Sequence, residues 1–107
     1  MFSDLLKIVV DGGHAVRAYE ECARRARARI SSEPENAAAL LLIWYAAQRF
    51  VEAYDDQPLP LDEANDELAR FSSMLKALEE SVSSGDPKQQ LAELNDIAVQ
   101  LLDTAKA

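Results

Sequence analysis

His14 and Cys22 stand alone of their kinds in this 107-residue sequence. They are the side chains best suited to proton transfer near neutral pH and to thiolate chemistry. Neither has a partner that the spacing supplies. A catalytic thiolate needs a nearby base, a disulfide needs a second Cys, and a zinc site needs three or four His, Cys or carboxylate ligands. His14 falls about 180° from the apolar seam of its helix at 100° per residue, which places it in water. Cys22 falls on the flank of the same helix, where a small buried or half-buried thiol is the ordinary outcome.

The carboxylates do no better as ligands. The two Glu-x-x-His motifs of a helical di-iron site are absent, and the acids from Tyr54 to Glu67 lack the D-x-D-x-D-G pattern of a calcium loop. Gly-rich phosphate loops and the G-x-S-x-G elbow are missing too. The sequence therefore predicts no catalytic residues, no cofactor and no metal, and the expected protein is not an enzyme.

Surface chemistry remains, and it is uneven. Residues 1–32 carry six basic and four acidic side chains, residues 33–107 five basic and fifteen acidic, for a net charge of −8. Glu52, Asp55, Asp56, Asp62, Glu63, Asp66 and Glu67 place seven carboxylates in sixteen residues with no Lys or Arg among them. Some of these acids suit the first turn of a helix, where negative charge is favoured. Together they predict an acidic patch that steers toward a basic partner surface, with Asp55, Asp56, Asp62 and Asp66 as contacts. The same net charge excludes direct binding to nucleic acid, whose affinity depends on neutralising phosphates.

Four helices are expected to position these groups, each from apolar residues at alternating steps of three and four. The seams run Phe2, Leu5, Val9, Gly12, Val16, Tyr19, Ala23, Ala26, Ile30; then Ala37, Leu40, Trp44, Ala47, Val51, Tyr54; then Leu61, Ala64, Leu68, Phe71, Leu75, Leu78, Val82; then Leu91, Leu94, Ala98, Leu101, Ala105. A Ser32/Glu35 capping box and the Asp86-Pro87 pair, with Gln89 as reciprocal partner, mark helix starts at 33 and 87. The prolines of DDQPLPL stop the second helix, and Gly85 stops the third as a left-handed cap. Gly12 and Gly13 could end a short first helix, but the seam crosses them in register, so one long first helix is expected. A close approach at Gly12 would offset the conformational cost of glycine. Arg27 falls in the apolar arc of that helix, and Asn95 and Glu67 fall close to their own seams. Short connections between such helices predict an all-α, antiparallel four-helix bundle, up-down-up-down, as a single domain over 1–107.

Two helices are greasier than such a bundle requires. Leu5, Leu6, Ile8, Val9 and Val10 cover an arc of about 200°, against the roughly 100° stripe of a surface helix. In the second helix Ala39, Leu42, Ala46 and Ala53 line the side opposite Trp44. The surplus faces predict one exposed patch built from Leu6, Val10, Leu42, Tyr45, Ala46 and Phe50, the usual mark of a protein interface. The longest apolar run, Ala37–Ala47, has 11 residues, well short of the roughly 20 that span a bilayer. The short apolar run in MFSDLLKIVVDGG has no basic n-region before it and is flanked by Asp4 and Asp11, unlike a signal peptide. The lone Cys suits a reducing compartment, so a cytoplasmic site without membrane contact is expected.

The functional expectation is thus a non-enzymatic protein-binding module, of the inhibitor, immunity or antidefence kind, docking a basic site through its acidic patch. An export or assembly chaperone, or a homo-oligomeric structural subunit such as a homodimer, using the apolar face of helices one and two, is the alternative.

Overall fold

Gly13 ends the first helix, contrary to the expectation of a long one. Its φ is +70° and that of His14 is +61°, in the left-handed region that glycine enters freely and histidine more often than most residues. The His14 amide donates to the Val9 carbonyl at 3.0 Å and the Gly13 amide to Val10 at 3.1 Å. That pair of crossed bonds is the Schellman cap, which satisfies carbonyls that a continuing helix would have used. The apolar register across Gly12 does not carry the helix on, because the left-handed backbone at Gly13 and His14 closes the cap instead.

The computed structural model describes the backbone of residues 1–106 and the side chains of residues 1–102. It contains five α-helices, α1 (Ser3–Asp11), α2 (Val16–Ser32), α3 (Ala37–Tyr54), α4 (Leu61–Ser83) and α5 (Pro87–Lys106), with a short 3₁₀ turn at Pro34–Asn36. The described residues contain no strand. The radius of gyration, 13.4 Å, is close to the roughly 13 Å of a folded chain this long. Helix α2 packs along α3, α1 rests on α2 and more lightly on α4, and α5 lies against α4 and α3.

The other boundaries obey local chemistry. Gly85, at φ +73°, ends α4 as expected. Asp86 caps α5, its Oδ1 accepting from the Lys88 amide at 3.1 Å and its carbonyl from Gln90 at 2.9 Å. Gln89 closes no reciprocal bond there. The Ser32/Glu35 capping box is not formed either. Ser32 is the last residue of α2 and its hydroxyl donates to the Arg29 carbonyl at 3.3 Å. Glu33, restricted by Pro34, leaves the helical region with φ −131° and ψ 65°, so α3 begins at Ala37.

The buried face of α2 keeps the expected Tyr19, Ala23 and Ala26 and leans toward Ala18 and Cys22. Arg27 is exposed rather than in the apolar arc. Arg29 takes the inward place instead. Its guanidinium donates to both Asp4 oxygens at 3.0 and 3.2 Å, to the Met1 carbonyl at 2.9 Å and to Glu33 at 2.6 Å, and lies 5.7 Å from the Phe2 ring centre. This ties α1 to the far end of α2. On α5 the seam also shifts, with Ile97 buried, Leu94 and Leu101 half-buried, and Leu91, Asn95 and Ala98 exposed. Ala105 lies outside the described side chains.

Gly12 does sit at a close approach. A Cβ there would stand 2.5 Å from the Ala18 Cβ, whereas Gly13 has open space around it. Gly12→Val is therefore expected to force α1 and α2 apart at a cost of about 1–3 kcal/mol. Gly13→Ala is expected to cost about 1–2 kcal/mol through the left-handed backbone alone. Urea unfolding of the two variants checks both figures, and a Gly12→Val protein as stable as the parent would refute the close approach.

Candidate functional site

Two features of the surface have the makings of a site, an acidic end and an apolar cleft. The acidic end is built by the α3–α4 connection. Asp55 and Asp56 come directly after α3, and Asp56 adopts φ +56°, a conformation that aspartate tolerates through local bonding of its short side chain. Asp62 and Glu63 occupy the first turn of α4, and Asp66 lies one turn further on. The Tyr54 hydroxyl donates to Glu63 Oε2 at 3.3 Å, joining the end of α3 to the start of α4.

Glu52, Asp55, Asp56, Asp62 and Asp66 are all exposed. None of them forms an ion pair among the described residues, whereas Asp4, Glu21, Glu33, Glu67 and Glu79 each find a cation. Hydrogen bonds from Arg24 and Arg25 hold the Glu21 carboxyl below its ordinary range, and Arg29 does the same to Glu33. A depression of about 560 Å³ between Asp55, Asp56 and the start of α2 brings Arg17 near without pairing it.

The residues expected to form the apolar patch have diverse fates. Val10 is 46% exposed and Tyr45 37%. Leu6, Leu42 and Ala46 are half-buried against the core, and Phe50 is buried. Leu42, Tyr45, Ala46 and Phe50 succeed one another along α3, while Leu6 and Val10 ride on α1, whose main neighbour is α2. The back of α3 is not bare, because α5 and α4 lie over part of it.

That covering is incomplete, and the gap is the second feature. A cleft of about 540 Å³ opens between α3, α4 and α5. Ala46, Phe50, Phe71, Met74, Ala77 and Ile97 make its apolar walls, and Arg49, Glu67, Arg70, Glu93 and Asp96 carry its charges. Arg70 is bound to Glu67 at 2.6 Å, and Arg49 donates to the Leu101 carbonyl at 3.3 Å, its guanidinium 6.0 Å from the Tyr45 ring centre. Glu93 and Asp96 have no cation partner among the described residues.

Tyr19 reaches this cleft from α2. Its ring stacks on Phe50 with centroids 3.8 Å apart and meets Phe71 edge-on at 5.4 Å. The residue is 1% exposed and its hydroxyl has no hydrogen-bond partner, which costs about 1–3 kcal/mol for a buried polar group. Burial first, and the nearby Glu67 carboxylate second, raise the phenol well above its ordinary pKa, so the hydroxyl stays protonated.

The residue pattern marks Tyr19, Phe71 and Leu101 only as seam positions, and nothing in it marks Met74, Glu93 or Asp96. Glu93 and Asp96 stand at the i, i+3 spacing that shares a helix face, which is the one available signal. His14 is half-buried in the turn after α1, and Cys22 is fully buried. Burial, with a smaller effect from Asp4, pushes the Cys22 thiol up to about 12. Native protein is thus expected to resist iodoacetamide at pH 8, with labelling appearing on unfolding in urea. Rapid stoichiometric labelling of the folded chain would contradict the burial. Among the described residues no group of three His, Cys, Asp or Glu could hold a metal ion, and no helix is long and apolar enough to cross a membrane.

Set against protein-family models, curated proteins and solved structures, the chain matches none of them.

Proposed function

We propose that this chain is a non-enzymatic protein-binding module, working in the cytoplasm, that docks a basic surface of its partner through the acidic end around the α3–α4 connection. The observation that carries this reading is the concentration of exposed, unpaired carboxylates. Glu52, Asp55, Asp56, Asp62 and Asp66 are exposed without an ion pair among the described residues, in a stretch from 52 to 67 that holds no Lys or Arg. A concentration of exposed charge of one sign raises the association rate with a complementary surface, by about 10 to 10³-fold. In this reading α2–α5 form an up-down-up-down bundle that presents the acidic connection at one end, with α1 added to α2.

Asp55, Asp56, Asp62 and Asp66 changed together to Lys take the formal net charge from −8 to 0, since each substitution adds two charges. All four positions are exposed, so the fold should persist, as circular dichroism would verify. A partner captured by the parent chain from its native host should associate with the variant at least about tenfold more slowly. The parent's rate should fall as salt is added and the variant's should not. Equal association rates for the two chains would overturn the acidic-end reading.

A further inference from the structure

The cleft between α3, α4 and α5 is separate from the acidic end and has features of its own that favour a ligand. Its volume, about 540 Å³, lies within the roughly 300–1,000 Å³ typical of small-molecule sites. Its walls are apolar and partly aromatic, through Phe50, Phe71, Met74 and Ile97. A buried hydroxyl without a partner, that of Tyr19, belongs to its lining. Folding gains nothing from that hydroxyl, because phenylalanine would fill the same space without an unsatisfied donor. The nearby carboxylate of Glu67 accepts from Arg70 instead.

Charge decides the kind of ligand. Three carboxylates face two guanidiniums around the opening, and Glu93 and Asp96 on α5 have no cation partner among the described residues. Arg70 is already paired and Arg49 is engaged by a backbone carbonyl. The whole chain, at −8, adds a field of the same sign. An anionic head group would meet repulsion on α5, and a cationic one would find two free carboxylates.

We propose that this cleft binds an amphiphilic amine. The aromatic or aliphatic body lies along Met74 and the edges of Phe71 and Ile97, a hydrogen-bond acceptor within the ligand reaches the buried Tyr19 O–H as the lining side chains part around it, and the ammonium sits at the α5 rim beside Glu93 and Asp96. The site is independent of the acidic end, so either can fail without the other.

Dansyl cadaverine has these parts, a naphthalene body, sulfonyl oxygens and a terminal ammonium. Dansyl aminohexanoate carries a carboxylate in place of the ammonium. Fluorescence titration of the purified chain should show saturable binding of the amine, about tenfold or more tighter than of the carboxylate. Glu93→Gln with Asp96→Asn should erase that preference. Tyr19→Phe should weaken the amine about 2 to 13-fold, the equivalent of one hydrogen bond, without lowering the unfolding midpoint. Ala77→Trp, which fills the cleft, should abolish binding, and Ser73→Trp, from an exposed position on its edge, does the same if the first variant fails to fold. The quadruple Asp→Lys chain should bind the amine still. No saturable binding, equal binding of the two probes, or binding that survives both Trp variants would overturn the proposal. So would a micromolar dimer that Ser73→Trp converts to a monomer, since the cleft would then belong to a second copy.

Discussion

Tyr19→Ala is expected to destabilise the chain by about 3–5 kcal/mol, while Tyr19→Phe leaves its stability unchanged or raises it. The ring is the junction of three helices. It leaves α2, stacks on Phe50 of α3 at 3.8 Å and meets Phe71 of α4 at 5.4 Å, and aromatic pairs in such geometries contribute about 0.5–1.5 kcal/mol each beyond burial. Truncation to alanine removes both pairs and leaves a void beside the cleft that the ring lines. The hydroxyl is a different matter, being buried and unbonded, so its deletion relieves desolvation without losing an interaction. Guanidinium unfolding of the two variants separates ring from hydroxyl. A Phe variant clearly less stable than the parent would mean that the hydroxyl is bonded after all.

Phe2→Ala is expected to cost a similar amount, about 3–5 kcal/mol, and to release α1 before the rest. Helix α1 has nine residues, fewer than the roughly 12–15 at which isolated helices become marginal. It persists because Phe2, Leu5 and Val9 are at most 1% exposed. The Phe2 amide donates to Glu79 Oε1 of α4 at 3.1 Å, and Arg29 of α2 covers the ring. Phe2 thus joins α1 to two other helices at once, and alanine keeps the amide bond but forfeits the ring. Amide hydrogen exchange should speed up across residues 5–11 more than across α2 and α3. Uniform acceleration along the whole chain would show instead that α1 unfolds only with everything else.

Much of the fold is legible in the order of residues alone. Steps of three and four mark every helical stretch, and the third seam matches the core closely, with Ala64, Phe71, Leu75 and Leu78 buried and Leu61, at 74%, left outside. The cap at Asp86 and the stop at Gly85 are local chemistry, decided by a side-chain oxygen and a missing Cβ. The first helix departs from its periodicity because pattern and capping disagree at Gly12-Gly13, and the crossed bonds of the cap win. On α2 the buried face leans toward Ala18 and Cys22, which puts Arg29 rather than Arg27 on the inner side.

The candidate sites divide along the same line. The acidic end needs only that Asp55, Asp56, Asp62 and Asp66 be near in sequence and exposed, and a connection between two helices ensures both. The cleft needs α3, α4 and α5 to stand slightly apart, which depends on the sizes of side chains meeting across helices far separated in sequence. Composition and helical period determined by themselves an acidic, all-helical chain. Only the tertiary structure decided that Phe50 turns inward onto Tyr19, that α5 covers α3 incompletely, and that a protonated hydroxyl is left unbonded at the gap. The physical reason is that periodicity specifies which face of a helix is apolar, whereas packing between helices specifies what that face meets.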